Sequence, residues 1–288
     1  NGNDYDGDSG HGTHVAGTVA AVNNNGIGVC GVAGGSGKGD GVRIMSIQIF
    51  DGAKNSSLGG NAKGMEYAAD NGASILQNSW GYPASSTQMS DGIYESAYGV
   101  ELAGLKYFVK KSNCKALEGG IAIFAAGNQG LARADYPGAY RDFICVTAYA
   151  PDGLPTSYTN YKFGCNVAAP GGESEVIGNQ GFKDYGCVLS TLPSETIDTY
   201  TGQPYGTSYG YMQGTSMACP HVSGIAALAI SYALDNNIVL TLPELKDIIV
   251  SSVTSFGKLS GQKANYDGGV MNLSNYDNKM GTGLIDAY

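Results

Sequence analysis

Charge is scarce in this chain: Asp, Glu, Lys and Arg make up 14% of 288 residues, beside 45 glycines and 20 tyrosines. Disorder would need more charge and fewer aromatics, so the composition points to tight, ordered loops on a compact scaffold. No Lys/Arg cluster exists beyond Lys110-Lys111, and the net charge is −9. A phosphate-reading surface needs a basic patch, which argues against nucleic acid as a partner. No apolar run looks long enough to span a bilayer, because the longest, near 225–234, is broken by Ser231. Cysteine is present six times but never as C-x-x-C, so zinc is not expected and disulfides or buried thiols stay open. Internal repeats, linkers, charge blocks and a signal peptide are missing as well. The first residue is Asn rather than Met, which leaves room for an upstream segment. The chain reads as one domain, 1–288, lacking its N-terminal part.

What is there alternates between strand and helix. Residues 42–50 (VRIMSIQIF), 74–79 (SILQNS), 120–126 (GIAIFAA) and 143–148 predict strands. The continuous apolarity of the later ones fits a parallel sheet buried on both faces. Helices are expected over 60–70, 101–111 and 216–234, and another opens at Thr241-Leu242-Pro243-Glu244, a capping-box spacing with proline in the first turn. Repeated β-α-β units predict an α/β fold of three layers, a mostly parallel sheet with helices on both faces.

Three segments carry chemistry. In GHGTHVAGT, glycine and alanine around His11 let a starting helix pack closely; a histidine there could equally be packing, and His-x-x-His hints at metal without the glutamate of a zinc-protease helix. In GTSMACPHVSG, Ser216 opens a long apolar helix. It could be a simple N-cap, or a nucleophile beside the unpaired N–H groups and positive dipole of a helix start. In AAGNQG, Asn128 follows a buried strand at the end where open α/β sheets bind ligands, although Asn-Gln-Gly can also be a plain turn.

In combination and in this order, the three segments resemble the subtilisin-like serine proteases. Ser79-Trp80-Gly81, Tyr136-Pro137, Ala169-Pro170-Gly171 and the ending Gly283-Leu284-Ile285-Asp286-Ala287 extend the resemblance over nearly the whole chain. It implies a secreted endopeptidase, extracellular or in the cell envelope, acting as a monomer on protein or peptide substrates. Ser216 would be the nucleophile, His11 its general base, and Asn128 an oxyanion donor. Substrate would lie extended along Ser79, Trp80 and Gly81, with Ala125, Ala126 and Gly127 walling the pocket for the side chain preceding the scissile bond. Asp135, just before Tyr136-Pro137, would sit at the base of that pocket and favour lysine or arginine, unless it pairs with Arg133 or Arg141.

The family's acid precedes the histidine on an apolar strand. Only ten residues precede His11, and Asp4, Asp6 and Asp8 lie in an acidic, glycine-rich stretch. The resemblance therefore places the triad acid upstream of Asn1. Residues 1–288 alone would then be nearly inactive, since losing that acid costs about 10⁴ in turnover. The alternative is a catalytically inactive subtilase-like binding domain. A lipase-type hydrolase is excluded, because Ser216 lacks the Gly-x-Ser-x-Gly elbow.

Two further expectations concern a cation and a disulfide. Carbonyls of Val22, Ile27 and Val29 with Asn24 resemble a structural calcium loop, although an Asn/Gly turn explains them equally; no cofactor is needed for chemistry. Cys165 and Cys187 precede the apolar stretches 167–169 and 188–190, expected as strands near each other, so a Cys165–Cys187 disulfide would clamp the loop of roughly 20 residues between them, worth about 3 kcal/mol. Cys30, Cys145 and Cys219 look like buried thiols.

Overall fold

The computed structural model describes residues 10–51, 54–55, 57–83, 89–111, 113–176, 182–194, 206–265 and 269–287. In chain order its main elements are α1 (His11–Ala20), α2 (Leu58–Asp70), β1 (Ile75–Asn78), α3 (Asp91–Ala97), α4 (Gly99–Lys110), β2 (Ile121–Ala125), β3 (Ile144–Tyr149), β4 (Val167–Pro170), β5 (Val188–Thr191), β6 (Tyr209–Met212), α5 (Thr215–Asp235), α6 (Leu242–Ser251), β7 (Val253–Thr254) and β8 (Leu284–Ile285). One six-stranded sheet runs β7-β8-β4-β3-β2-β1, parallel throughout except for the β7–β8 pair. Its two faces carry separate cores. Ile121, Ile123, Val146 and Val167 pack with Val222, Ala226 and Ile249 on the face that holds α5 and α6. Ala122, Phe124 and Phe143 pack with Leu102, Leu105 and Tyr94 on the face that holds α3 and α4. Strands buried on both faces must be apolar at every position, which is how β2 reads.

The helix starts follow their sequence signals. Thr241 and Glu244 form the expected capping box, with Pro243 in the first turn. Helix α5 is 21 residues long and, by length and composition, apolar enough to cross a membrane, contrary to the expectation that it falls short. It is a core helix instead: Met217, Ala218, Cys219, Val222 and Ala226 are buried against the sheet and α1.

Other expectations need correction. Residues 42–49 form no strand; only Phe50–Asp51 pairs, in a short hairpin with Lys54–Asn55. The apolar pattern is right, but a strand needs a neighbour to accept its ladder, and Ile44 and Met45 are exposed instead. Cys30 is exposed rather than buried. Cys165 and Cys187 do not pair, since Cys165 packs with Cys145, Ala126, Ala134 and Ala139 while Cys187 Sγ lies 3.2 Å from Ser174 Oγ. Cys145 and Cys219 are buried as expected, and burial pushes both thiols up, Cys219 to about 12.

Candidate active site

Two helix starts carry the candidate side chains His11 and Ser216. Gly10, in the left-handed region at φ 65, turns the chain into α1 with His11 as its first residue. Helix α1 lies along α5 and against the β5–β6 hairpin. The approach to β5 is close enough that a Cβ on Gly17 would sit 2.2 Å from Thr191 Oγ1. Ser190 Oγ and Thr191 Oγ1 donate to the carbonyls of His14 and Thr13. The two histidines of the motif thereby separate in role. His14 is buried, its Nε2 is 2.9 Å from Val188 O, and burial lowers it to about 4, so it is a neutral tie between α1 and β5. His11 is half-buried, and burial holds its imidazole below the usual histidine value, which keeps it neutral at pH 7. His221 is a helix tie too, with Nδ1 2.8 Å from Met217 O.

Ser216 is the second residue of α5 and only partly buried. Its Oγ donates to Ser79 O at 3.1 Å, and Ser79 Oγ donates back to Ser216 O at 2.6 Å. That reciprocal pair seats the segment leaving β1 directly beside the serine. The loop leaving β2 is stitched to the same helix start by Thr215: its N–H and Oγ1 donate to Asn128 Oδ1 at 2.9 and 2.8 Å, and its Oγ1 accepts from Gly127 N at 3.0 Å. With Oδ1 so engaged, the Asn128 amide group is turned toward the α5 start. Its Nδ2 would lie 3.3 Å from a Cβ on Gly214, the residue capping α5. Thr215 was legible only as part of the serine motif, and nothing in the sequence singled out its bracing role.

The two loops form facing walls, with Asp135 between them. A Cβ on Gly127, whose φ is 103, would meet Asp135 Oδ2 at 2.3 Å, and a Cβ on Gly81 would meet Asp135 Cβ at 3.0 Å. Asp135 is 4% exposed and is held by its N–H to Ala126 O. Its carboxylate accepts from Asn160 Nδ2 at 3.2 Å and Gln129 Nε2 at 3.3 Å. Arg133 and Arg141 are engaged elsewhere, on Met89 O and on Asp91 and Glu95. Asn160, which no sequence signal marks, is the hub of this wall: Oδ1 accepts from Gln129 N and Leu131 N, and Nδ2 reaches Ala126 O and Gln129 Oε1. Trp80 turns its ring inward, with Nε1 on Asn78 Oδ1 and edge-on packing to Phe124.

The remaining candidates lie apart from this cleft. Asp4, Asp6 and Asp8 fall outside the described residues. In the 22–29 loop, Val22 and Ile27 are exposed, Asn24 adopts φ 56, and its Nδ2 donates to Ser36 O, leaving Oδ1 available. Asn23 Oδ1 is buried there without a hydrogen-bond partner. These are oxygens of the type a hard cation takes, but all are neutral, and no group of three or more His, Cys, Asp and Glu gathers as ligands among the described residues.

The Subtilase family model matches residues 1–283. The chain belongs to the subtilase family. An extracellular basic protease of Dichelobacter nodosus is 33% identical over 284 residues, 96% of this chain and 38% of that protein. Subtilisin Savinase of Lederbergia lenta is 30% identical over 220 residues, covering 76% of this chain and 62% of the relative. The chain thus spans less than two thirds of the length of both, 38% of the first and 62% of the second. Among solved structures, a protease from Pseudoalteromonas arctica superposes with a TM-score of 0.67 at 29% identity, over 96% of this chain and 68% of its own.

Proposed function

We propose that this chain is the catalytic part of a secreted serine endopeptidase, with Ser216 as nucleophile and His11 as general base. The observation that carries this reading is the convergence of Ser216, Ser79 and Asn128 at one helix start, through the Ser79–Ser216 and Asn128–Thr215 hydrogen bonds. Ser216 Oγ turns from Ser79 O to His11, which takes its proton as the oxygen attacks the peptide carbonyl and then passes it to the leaving amine. A neutral His11 at pH 7 suits that task. Asn128 Nδ2 and the N–H of Ser216 stabilise the oxyanion, helped by the α5 dipole. Asn128→Ala is therefore expected to lower kcat on a fluorogenic peptide about 10²- to 10³-fold with little change in KM; that magnitude is subtilisin's own. An unchanged kcat would remove Asn128 from the mechanism.

The acid that orients His11 belongs, in this reading, to a strand outside residues 10–287, and the chain without it hydrolyses peptides poorly. Supporting this, β1 ends the sheet among the described residues with Ile75, Leu76 and Gln77 half-exposed. Substrate would pair with Ser79, Trp80 and Gly81 as an added strand, which accepts many sequences, while the buried Asp135 selects a cationic side chain before the scissile bond.

The same reading gives the 22–29 loop a structural calcium ion. Val22, Ile27 and Val29 carbonyls with Asn24 Oδ1 would hold it, together with a carboxylate from outside the loop. Since a bound ion stabilises the folded state by mass action, EDTA should lower the melting temperature of the full-length protein by at least ~2 °C. An unchanged melting curve would eliminate the site.

A further inference from the structure

Glu101 is a carboxylate with no exposed surface, in the first turn of α4. Burying such a charge is costly unless donors replace its water, and here three neutral donors do so. Oε2 accepts from Asn61 Nδ2 of α2 and from Tyr82 OH, both at 2.8 Å; Oε1 accepts from Tyr94 OH of α3 at 2.7 Å. Burial and the neighbouring carboxylate push both tyrosine hydroxyls far above their usual range, so they remain donors at any working pH. A cage that only pinned helices together would need Asn61 and Tyr94. Tyr82 is different, because it lies on the segment that continues Ser79-Trp80-Gly81.

Tyr82 is also tied on its other sides. Its N–H donates to Tyr136 O at 2.6 Å, forming an isolated bridge to the strip that follows Asp135. Its ring lies 4.4 Å from that of Tyr98 and 5.9 Å, edge-on, from that of Trp80. At one end, then, the segment is held by Ser79 on Ser216; at the other, by Tyr82 on Glu101 and Tyr136. We propose that Glu101 is a positioning residue for substrate: through Tyr82 it fixes the far end of the strand on which an extended peptide pairs, and so sets the distance between that strand and the Asp135 wall. The inference rests on the reading of Ser79, Trp80 and Gly81 as the peptide-pairing edge. Charge-assisted hydrogen bonds are the strong kind, which suits an anchor that must hold while substrate is exchanged.

Two variants of the full-length protein test this. Tyr82→Phe removes one donor and leaves Asn61 and Tyr94 on the carboxylate; Glu101→Gln keeps the shape and removes the charge. Hydrogen exchange at the Tyr82 N–H reads the tie independently of activity, and it should accelerate at least tenfold in both variants while amides of β2 stay protected. In parallel, the ratio of kcat/KM for a peptide extending four residues before the scissile bond to that for a single-residue ester should fall about tenfold, chiefly through KM. Unchanged exchange at Tyr82 overturns the role of Glu101, whatever the protein cleaves. Faster exchange with equal losses on both substrates reduces Glu101 to general stability and also overturns the proposal. A parent that cleaves neither substrate overturns the protease reading, and the substrate role of Glu101 falls with it.

Discussion

Replacing Ser216 with alanine is expected to lower kcat of the full-length protein on a peptide substrate about 10⁶-fold, the size of loss known for subtilisin itself. The effect is large because, in the proposed mechanism, Ser216 and His11 act as a unit: without the nucleophile, the base has nothing to activate. KM should change little, because the proposed mechanism holds substrate on the 79–81 strand and beside Asp135 rather than on Ser216 Oγ. His11→Ala should cost about as much, and the double variant little more than either. Additive losses would show that the two side chains do not cooperate. Any residual turnover well above water would come from Asn128 and the α5 start, whose bracing by Thr215 is untouched.

The second large effect concerns selectivity. The parent is expected to cleave after arginine or lysine about 10³-fold better than after leucine, and Asp135→Ala should abolish that preference. The carboxylate is 4% exposed and sits between Gly127 and Gly81, with amide donors at 3.2 and 3.3 Å. In the proposed reading, the cationic side chain of a substrate sits beside this carboxylate. Leaving one partner of such a buried pair unmatched costs about 4 kcal/mol, or roughly 10³. Arg133 meets Met89 O, and Arg141 bridges Asp91 and Glu95. Equal cleavage after leucine and arginine by the parent, measured with a peptide library varied at that one position, would refute the assignment.

The parts of this site that were readable in sequence are those in which a short motif carries both the reactive group and the backbone constraint around it. Gly10 before His11, Gly17 against Thr191, and Gly214 before Ser216 mark helix starts and close approaches that a side chain would obstruct, and they fall within a few residues of the chemistry. Apolar runs located β2 and β3 for the same local reason. The supporting contacts were not readable, because their partners are far apart in the chain: Asn160 braces Gln129 and Leu131, and Glu101 reaches Asn61 and Tyr82. An isolated glutamate in an amphipathic helix pattern looks solvated until the fold buries it. The 42–50 strand failed for a related reason, since periodicity specifies a face but ladder bonds require a neighbour. The Cys165–Cys187 pairing assumed that two chain-adjacent strands bring their sulfurs together, whereas Cys165 turns to the pocket lined by Ala126, Ala134 and Cys145.

The most direct test of the central claim is to locate the adduct of a fluorophosphonate on the full-length native protein by peptide mass spectrometry. Only an activated serine beside a base and an oxyanion site reacts at useful rates. The account predicts a single adduct, on Ser216, formed by the folded protein, lost on denaturation and absent in His11→Ala. An adduct on another residue, or labelling of Ser216 that proceeds unchanged in His11→Ala, would contradict it.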